Sequence, residues 1–402
     1  MKPKSILLII PYGSVGGMER LAYSFYNFYK KEGYQIKALK LIKLKDDIIN
    51  FNDDELFLSE KDFSDMKKSE RLKFYFSIPF RIKKIIKKNK VTHTISFGDM
   101  ANFFSSLTYT KDYKIASIHA LKSVELSNNS LFSKMTKFGY KYTYNKLDKV
   151  VCISNAIKED LLKKCDFKFT EKLKVIYNPH DLKEIEEKSL EEITSSKEND
   201  LLKTNSILFL GRFSIQKSPW HLIKSFSIVV KNVPNANLII IGDGDDSVLK
   251  HIEKLIKELG LEAKVHFLGR RTNPYKYLIK AKVLALSSHY EGTPNVIVEA
   301  IALDTPIVSS NCTEGIAELM SLSKTTSTDE NIAVEAGIIT PNLYKGILGI
   351  PSDDKFISEE RLFAKALEAV LQSNTHQEKL IENKKELLNK FNLVRVANQY
   401  LS

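Results

Sequence analysis

Short, wholly apolar runs alternate with amphipathic stretches along most of the chain. SILLIIP (5–11) is such a run, and its length suits a strand buried on both faces. A glycine-rich turn, GSVGG, follows it, and then MERLAYSFYNFYKKEG, which predicts a helix ending at Gly33. YQIKALKLI (34–42), VTHTISFGDM (91–100), KIASIHA (114–120), KVVCIS (149–154) and KVIYNPHD (174–181) supply further strands, with NAIKEDLLKKC as a helix between the last two. Strands that alternate with helices imply a parallel sheet covered on both faces.

The rhythm breaks over EIEEKSLEEITSSKENDLLKTNS (184–206), which is charged, rich in Ser and Thr and poor in aromatic residues. Such a stretch predicts a surface helix or linker at a domain boundary. The alternation then restarts with SILFLG, SPWHLIKSFSIVVKNV, NLIIIGDG and SVLKHIEKLIKELG, and continues through KVHFLG, KVLALSS, PNVIVEAIALD and PIVSS. The expectation is two doubly wound α/β domains, 1–184 and 206 onward, joined by a linker over 185–205. A chain of 402 residues is long enough for two such cores. In open parallel sheets ligands bind beyond the carboxyl ends of the strands.

Composition narrows the class. Hydrophobic residues make up 43% and charged residues 27% of the chain, as in ordinary soluble proteins. The apolar run at the N-terminus is short for a signal sequence, and no run approaches the ~20 residues that span a bilayer. The three cysteines, Cys152, Cys165 and Cys312, lack metal-ligand spacing and read as reduced cytosolic thiols. A net charge of +12 (61 basic, 49 acidic) favours anionic partners: nucleic acid, an anionic membrane surface or phosphorylated small molecules. The basic residues concentrate in 67–90, where Glu70 is the single acid. With Pro79 as a first-turn residue, Ile78, Ile82, Ile85 and Ile86 share one helical face and Lys83, Lys84, Lys87 and Lys88 occupy the rest. That helix either packs on the core with a solvated basic face or rests on an anionic leaflet.

Candidate chemistry sits at predicted strand ends. In HYEGTPNVIVEA (289–300) the Thr-Pro pair predicts a helix start with Thr293 as N-cap and Pro294 at the first helical position. The amides of Asn295 and Val296 would then favour an anion. Glu291 and Glu299 could accept hydrogen bonds from sugar and ribose hydroxyls, or could be two solvated carboxylates. Arg212 and Lys217 follow the strand SILFLG and could neutralise a diphosphate. Gly16 and Gly17, after the first strand, permit close backbone approach to a ligand, although GSVGG is neither a GxGxxG nor a Walker loop. Asp243-Gly-Asp245 formally has the Asp-x-Asp spacing of some metal sites, but its place between a strand and a helix predicts turn and capping roles.

Taken together these segments resemble the retaining glycosyltransferases of family 4. EGTPNVIVEA looks like their Glu-x7-Glu motif, GRFSIQKSPWHLIKSF like their Gly-Arg…Lys segment and GSVGGMER like their Gly-Gly-x-Glu loop. LIIIGDG, VHFLGR, ISNAIKED, YNPHD and AGIITP (336–341) follow in that family's order. The likeness is looser over 35–110.

The resemblance implies the GT-B fold, two Rossmann-like domains facing a cleft. An N-terminal acceptor domain would cover 1–184, a nucleotide-sugar domain 206–384, and a helix over 385–402 would return to the first domain. It implies Arg212 and Lys217 on the donor diphosphate, Glu299 on the ribose and Glu291 near the sugar hydroxyls. The backbone of Gly292, Thr293, Pro294, Asn295 and Val296 would touch sugar and phosphate. Gly16 and Gly17 would lie near the donor, Arg270 and Arg271 near the base, and His119 near the sugar.

The expected activity is transfer of a hexose or N-acetylhexosamine, with retention, from a nucleotide sugar, UDP-linked by family likeness, to a glycan or lipid-linked acceptor. Bacterial polysaccharide, capsule or lipopolysaccharide assembly is the implied setting, with no metal or other cofactor. The expected location is the cytoplasm, extending to the inner face of the cytoplasmic membrane if 67–90 rests there. A soluble transferase with a small-molecule acceptor is the alternative. A nucleic-acid-binding protein would explain the charge but gives the glutamate pair no role.

Overall fold

The computed structural model describes residues 4–13, 17–45, 47–126, 130–323, 329–353 and 355–402, and its contacts divide them into two units, Met1–Pro179 with Leu393–Ser402, and His180–Asn392. In the first unit the strands are β1 (Ser5–Ile10), β2 (Gln35–Ile42), β3 (Glu55–Ser59), β4 (His93–Phe97), β5 (Tyr113–Ile118), β6 (Lys149–Cys152) and β7 (Leu173–Val175). They form one sheet in the order β3-β2-β1-β4-β5-β6-β7, and every pairing is parallel. The unbroken apolar run of β1 follows from its central place. Ile6, Leu8 and Ile10 enter one core, where the helix Gly17–Lys31 lays Leu21, Ala22, Phe25 and Tyr29. Leu7 and Ile9 enter the core on the opposite face, under Ile78, Ile82 and Ile86 of the helix Lys68–Lys88. Each such fully buried side chain contributes about 1.5–3 kcal/mol.

The terminal helix Leu393–Leu401 belongs to this first unit. The Tyr400 ring sits 4.8 Å from that of Phe25 and its hydroxyl 2.8 Å from Ser117 Oγ, while Tyr29 Oη donates to the Ala397 carbonyl at 2.8 Å. The chain thus leaves the first unit after Pro179 and re-enters it at Leu393. The preceding helix, Thr375–Leu388, lies in the second unit, so the part of 385–402 that returns is its last ten residues.

The second unit repeats the plan with β8 (Asn205–Leu210), β9 (Ala236–Ile241), β10 (Val265–Gly269), β11 (Val283–Leu286), β12 (Ile307–Ser310), β13 (Ile332–Val334) and β14 (Gly337–Thr340). Their order is β10-β9-β8-β11-β12-β14-β13, parallel except for the antiparallel edge strand β13. Trp220, Ile223 and Phe226 of the helix Pro219–Asn232 fill its core together with Phe363 and Leu367.

Two open alternatives are decided and one expectation is corrected. The stretch 185–205 carries two short helices, Leu182–Ser189 and Ser196–Leu202, that belong to the second unit. Side chains cap both: Ser195 accepts from Glu198 N–H and Asp181 from Glu184 N–H. Second, Pro79 does not start a helix but lies inside Lys68–Lys88. Third, Ile78, Ile82 and Ile86 of that helix are buried, so of its two readings the core-packed one holds for the isoleucine face.

Candidate active site

In both sheets the chain reverses its direction of strand addition next to the first strand, which opens a crevice at the carboxyl end. In the second sheet that point lies between β8 and β11. The loop after β8 carries Gly211, Arg212 and Lys217, and the loop after β11 carries Glu291. The topology therefore brings together the two segments that the sequence separates by some seventy positions.

Lys217 Nζ lies 2.5 Å from Glu291 Oε1, with both side chains largely buried. Ser288 Oγ donates to the same oxygen at 2.7 Å, and Gln216 Nε2 donates to Oε2 at 3.3 Å. The carboxylate is thus neutralised and fixed, with acceptor capacity left on Oε2. The two loops are sewn together by backbone as well. His289 N–H donates to the Gln216 carbonyl at 2.8 Å, and Ser218 Oγ to the Ser287 carbonyl at 2.6 Å. Ser218 holds φ at +38°, a left-handed conformation that directs the chain into the helix Pro219–Asn232.

Arg212 is exposed and makes no ion pair among the described residues. Its place is fixed by Gly242, at the end of β9. A Cβ on Gly242 would lie 1.9 Å from the Gly211 carbonyl oxygen, so only glycine lets the loops after β8 and β9 meet. Asp243-Gly-Asp245 takes part in this contact. Phe213 N–H donates to the Asp243 carbonyl at 2.8 Å, and Asp245 caps the helix Asp246–Glu258 by accepting from Ser247 and Val248.

The helix after Glu291 begins one residue later than the Thr-Pro pair predicts: Pro294 is the N-cap and Asn295–Ala302 the helix. Ile297 N–H reaches the Pro294 carbonyl at 3.1 Å, and the amides of Asn295 and Val296 belong to the first turn, where backbone N–H groups lack intrahelical acceptors. Gly292 and Thr293 complete the connection to Glu291. Glu299, half-buried one turn along, lies 3.5 Å from the Tyr275 hydroxyl.

Arg271 stands apart. Its guanidinium reaches Glu198 at 2.8 Å and the Tyr277 hydroxyl at 3.2 Å, and Tyr277 also donates to Glu198 at 2.7 Å. This knot ties the helix Ser196–Leu202 to the segment 271–278, so the fork expected near a nucleobase is already engaged by protein.

A second cluster lies behind Glu291 and has no sequence motif. Glu360, fully buried, pairs with Lys224 at 2.7 Å and contacts His221 Nδ1 at 2.6 Å; His221 Nε2 is 2.9 Å from His289 Nε2. A carboxylate only accepts, so His221 donates through Nδ1. Burial holds the His289 pKa down to about 4, which keeps it neutral.

In the first unit the equivalent crevice lies between β1 and β4. Gly17 starts the helix Gly17–Lys31, whereas Gly16 falls outside the described residues. Gly98, after β4, has φ of +81°, and a Cβ there would sit 3.0 Å from Met18 Sδ. His119 follows β5 with a buried Nε2 that has no hydrogen-bond partner among the described residues. Burial, reinforced by the nearby Lys122, lowers its pKa to about 3. Lys122 is itself paired with Asp99 at 2.9 Å. Among the described residues no group of three or more His, Cys, Asp or Glu side chains could hold a metal ion.

Comparison with known proteins agrees with this geometry. The sequence model for Glycosyltransferase Family 4 matches residues 15–184, and that for Glycosyl transferases group 1 matches residues 191–387. The chain is 27% identical over 325 residues (80% of this chain, 77% of the other) to the GalNAc-alpha-(1->4)-GalNAc-alpha-(1->3)-diNAcBac-PP-undecaprenol alpha-1,4-N-acetyl-D-galactosaminyltransferase of Campylobacter jejuni. It is 32% identical over 235 residues to the N-acetylgalactosamine-N,N'-diacetylbacillosaminyl-diphospho-undecaprenol 4-alpha-N-acetylgalactosaminyltransferase of the same organism, spanning 58% of this chain and 59% of the relative's length. The crystal structure of Anabaena Alr3699/HepE in complex with UDP superposes with a TM-score of 0.72 at 17% identity, covering 99% of this chain and 98% of that one, which shows the shared fold. With two paired sheets of this topology and two adjoining family matches, the chain belongs to the glycosyltransferases of family 4 type and has the GT-B fold.

Proposed function

We propose that the protein transfers a hexose or N-acetylhexosamine from a UDP-linked donor to a lipid-linked glycan, with retention, in the assembly of a bacterial surface polysaccharide or glycoconjugate. The observation that supports this is the ion pair of Lys217 with Glu291 beside the crevice between β8 and β11, with Arg212 in the same loop as Lys217. Departure of a nucleoside diphosphate puts negative charge on its phosphates, and fixed cations and amides stabilise that charge without reorganising. Arg212 and Lys217, with the amides of Asn295 and Val296, would receive the diphosphate. Glu291 Oε2 would accept from sugar hydroxyls and Glu299 from the ribose. His119 Nε2, lacking a partner among the described residues, would meet a hydroxyl near the sugar. These cations supply the charge that a metal would bring, so none is needed.

The lipid-linked acceptor rests on the names of the two Campylobacter relatives, both of which act on undecaprenol-linked glycans. No helix among the described residues is long and apolar enough to cross a membrane, so the segment 67–90 would bring the protein to an anionic leaflet of the cytoplasmic membrane from its inner face. The test is UDP release from UDP-hexoses and UDP-N-acetylhexosamines with a prenyl-diphosphate-linked sugar, with and without EDTA, and the anomer assigned by proton NMR. Release that needs an added metal, an inverted product, or no turnover of any UDP-sugar would each overturn the reading.

A further inference from the structure

The first unit contains a cavity of about 240 Å³ bordered by three helices. Lys68–Lys88 contributes Arg71 and Tyr75, Asp99–Ser106 contributes Met100 and Phe104, and Leu131–Lys141 contributes Phe132 and Met135. Tyr75 and Phe104 pack with ring centroids 5.8 Å apart. With Ser130, the N-cap of Leu131–Lys141, the lining has seven side chains, four of them wholly apolar. A sugar or nucleotide needs convergent polar groups to replace its water, and such walls do not provide them.

One group does not suit a purely apolar occupant. Arg71 Nε is buried without a hydrogen-bond partner, its terminal nitrogen reaches the Met66 carbonyl only at 3.5 Å, and it makes no ion pair among the described residues. Arg71 is partly exposed, and its buried Nε has a charge-assisted hydrogen bond left to make with an anion. The helix that supplies Arg71 also presents Leu72, Phe76 and Phe80 to solvent, 55%, 70% and 74% exposed, among Lys73, Lys83, Lys84 and Lys87. Positions 72, 76 and 80 recur every four residues and form a stripe on the face opposite the core.

We propose that this cavity seats the apolar chain of an anionic lipid next to its phosphate, with Arg71 on the phosphate and the methionines, Tyr75 and the phenylalanines around the chain. Methionine suits such a role because its flexible thioether conforms to an irregular chain. The occupant is the prenyl-phosphate end of the acceptor, so this identification rests on the proposed lipid-linked substrate, whereas the amphiphile site itself rests on the cavity and Arg71.

The test uses the full chain labelled with ¹³C at the methionine methyls, titrated with dodecyl phosphate, dodecyl maltoside and inorganic phosphate. Dodecyl phosphate is expected to shift the Met100 and Met135 signals, and inorganic phosphate to leave them in place. Arg71→Ala should weaken dodecyl phosphate by about tenfold while changing dodecyl maltoside little, the loss of one charge-assisted contact. Met135→Trp, which fills the cavity, should abolish the shift of Met100; Met100→Phe, read at Met135, serves if the tryptophan variant does not fold. Dodecyl phosphate binding equal to wild type in the filled variants overturns the proposal, as does an equal response to inorganic phosphate. Prenyl-linked acceptor kinetics separate the two readings. A binding result as expected, with no UDP-sugar turnover by the wild-type protein, would overturn the proposed activity and with it the identification of the occupant as an acceptor.

Discussion

Lys217 and Glu291 form an ion pair of 2.5 Å between the ends of β8 and β11, with side chains only 19% and 7% exposed. Lysine and glutamate therefore hold each other in place before any donor arrives. A diphosphate entering the crevice meets a lysine already positioned and a glutamate whose charge is already balanced.

This pair and Arg212 should respond differently to truncation. Arg212→Ala removes an exposed cation, so stability should stay within ~0.5 kcal/mol of wild type while turnover falls by at least ~100-fold. Lys217→Ala should cost turnover similarly but also leave Glu291 buried without its partner, lowering stability by about 2–3 kcal/mol. The double variant Lys217→Ala, Glu291→Ala should recover part of that stability and none of the activity. Urea titrations with steady-state kinetics check all three, and near-normal turnover in both single variants would remove the assignment of the diphosphate site.

Gly242→Ala tests how Arg212 is placed. The added Cβ would overlap the Gly211 carbonyl oxygen at 1.9 Å, and both groups are backbone, so neither side can yield cheaply. Loss of at least about 3 kcal/mol is expected in a urea titration. An unchanged midpoint would mean that the loops after β8 and β9 do not meet as described.

Acid should destabilise the protein through its buried histidines. Burial lowers the pKa of His180 to about 4 and, with help from Lys122, that of His119 to about 3. The unfolded chain binds these protons near pH 6.5, so between pH 6.5 and 4 it holds more protons than the folded chain. The stability these groups contribute is present above pH 6.5 and is lost as pH falls. Each adds a slope of up to about 1.4 kcal/mol per pH unit. Glu19 and Asp99, raised by burial, oppose the trend, so the informative quantity is a difference. His180→Gln should flatten the dependence of the urea-derived stability between pH 6 and 5 by about 1.4 kcal/mol per unit, and an unaltered slope would contradict a buried neutral His180.

Periodicity made the double α/β repeat readable, because strands buried on both faces leave unbroken apolar runs such as SILLIIP and NLIII. The site loops were readable for a related reason: strand ends carry function in this architecture, and Arg212, Lys217 and Glu291 all lie in loops that follow a strand. What escaped depended on partners distant in sequence. Glu360, His221 and His289 meet only because three separate elements pack together, and no spacing marks them. The tie between Arg271 and Glu198 escaped because Glu198 comes from a stretch whose composition suggested a surface helix or linker. The helix Lys68–Lys88 has apolar residues on two faces, and periodicity cannot tell which one turns inward. Pro79 compounded the difficulty. A proline usually marks a helix start, but here it sits on the half-buried flank of a longer helix, where tertiary packing outweighs one lost hydrogen bond.

The same helix supplies a membrane prediction that differs from the one its isoleucines suggested. With Ile78, Ile82 and Ile86 in the core, only Leu72, Phe76 and Phe80 remain to enter a lipid interface, and Lys73, Lys83, Lys84 and Lys87 surround them. Interfacial aromatic rings and lysines act together on an anionic leaflet, each basic residue adding ~1 kcal/mol near the surface. In flotation assays the protein should bind vesicles containing phosphatidylglycerol, bind phosphatidylcholine vesicles weakly, and lose binding as salt rises and the Debye length shortens. Phe76→Ser with Phe80→Ser should reduce binding by at least about tenfold without lowering the melting temperature, since both rings are exposed. Replacing Lys83, Lys84 and Lys87 by glutamine should remove the salt dependence. Equal binding to neutral and anionic vesicles, or a Phe76, Phe80 variant that floats like wild type, would show that this face serves no membrane.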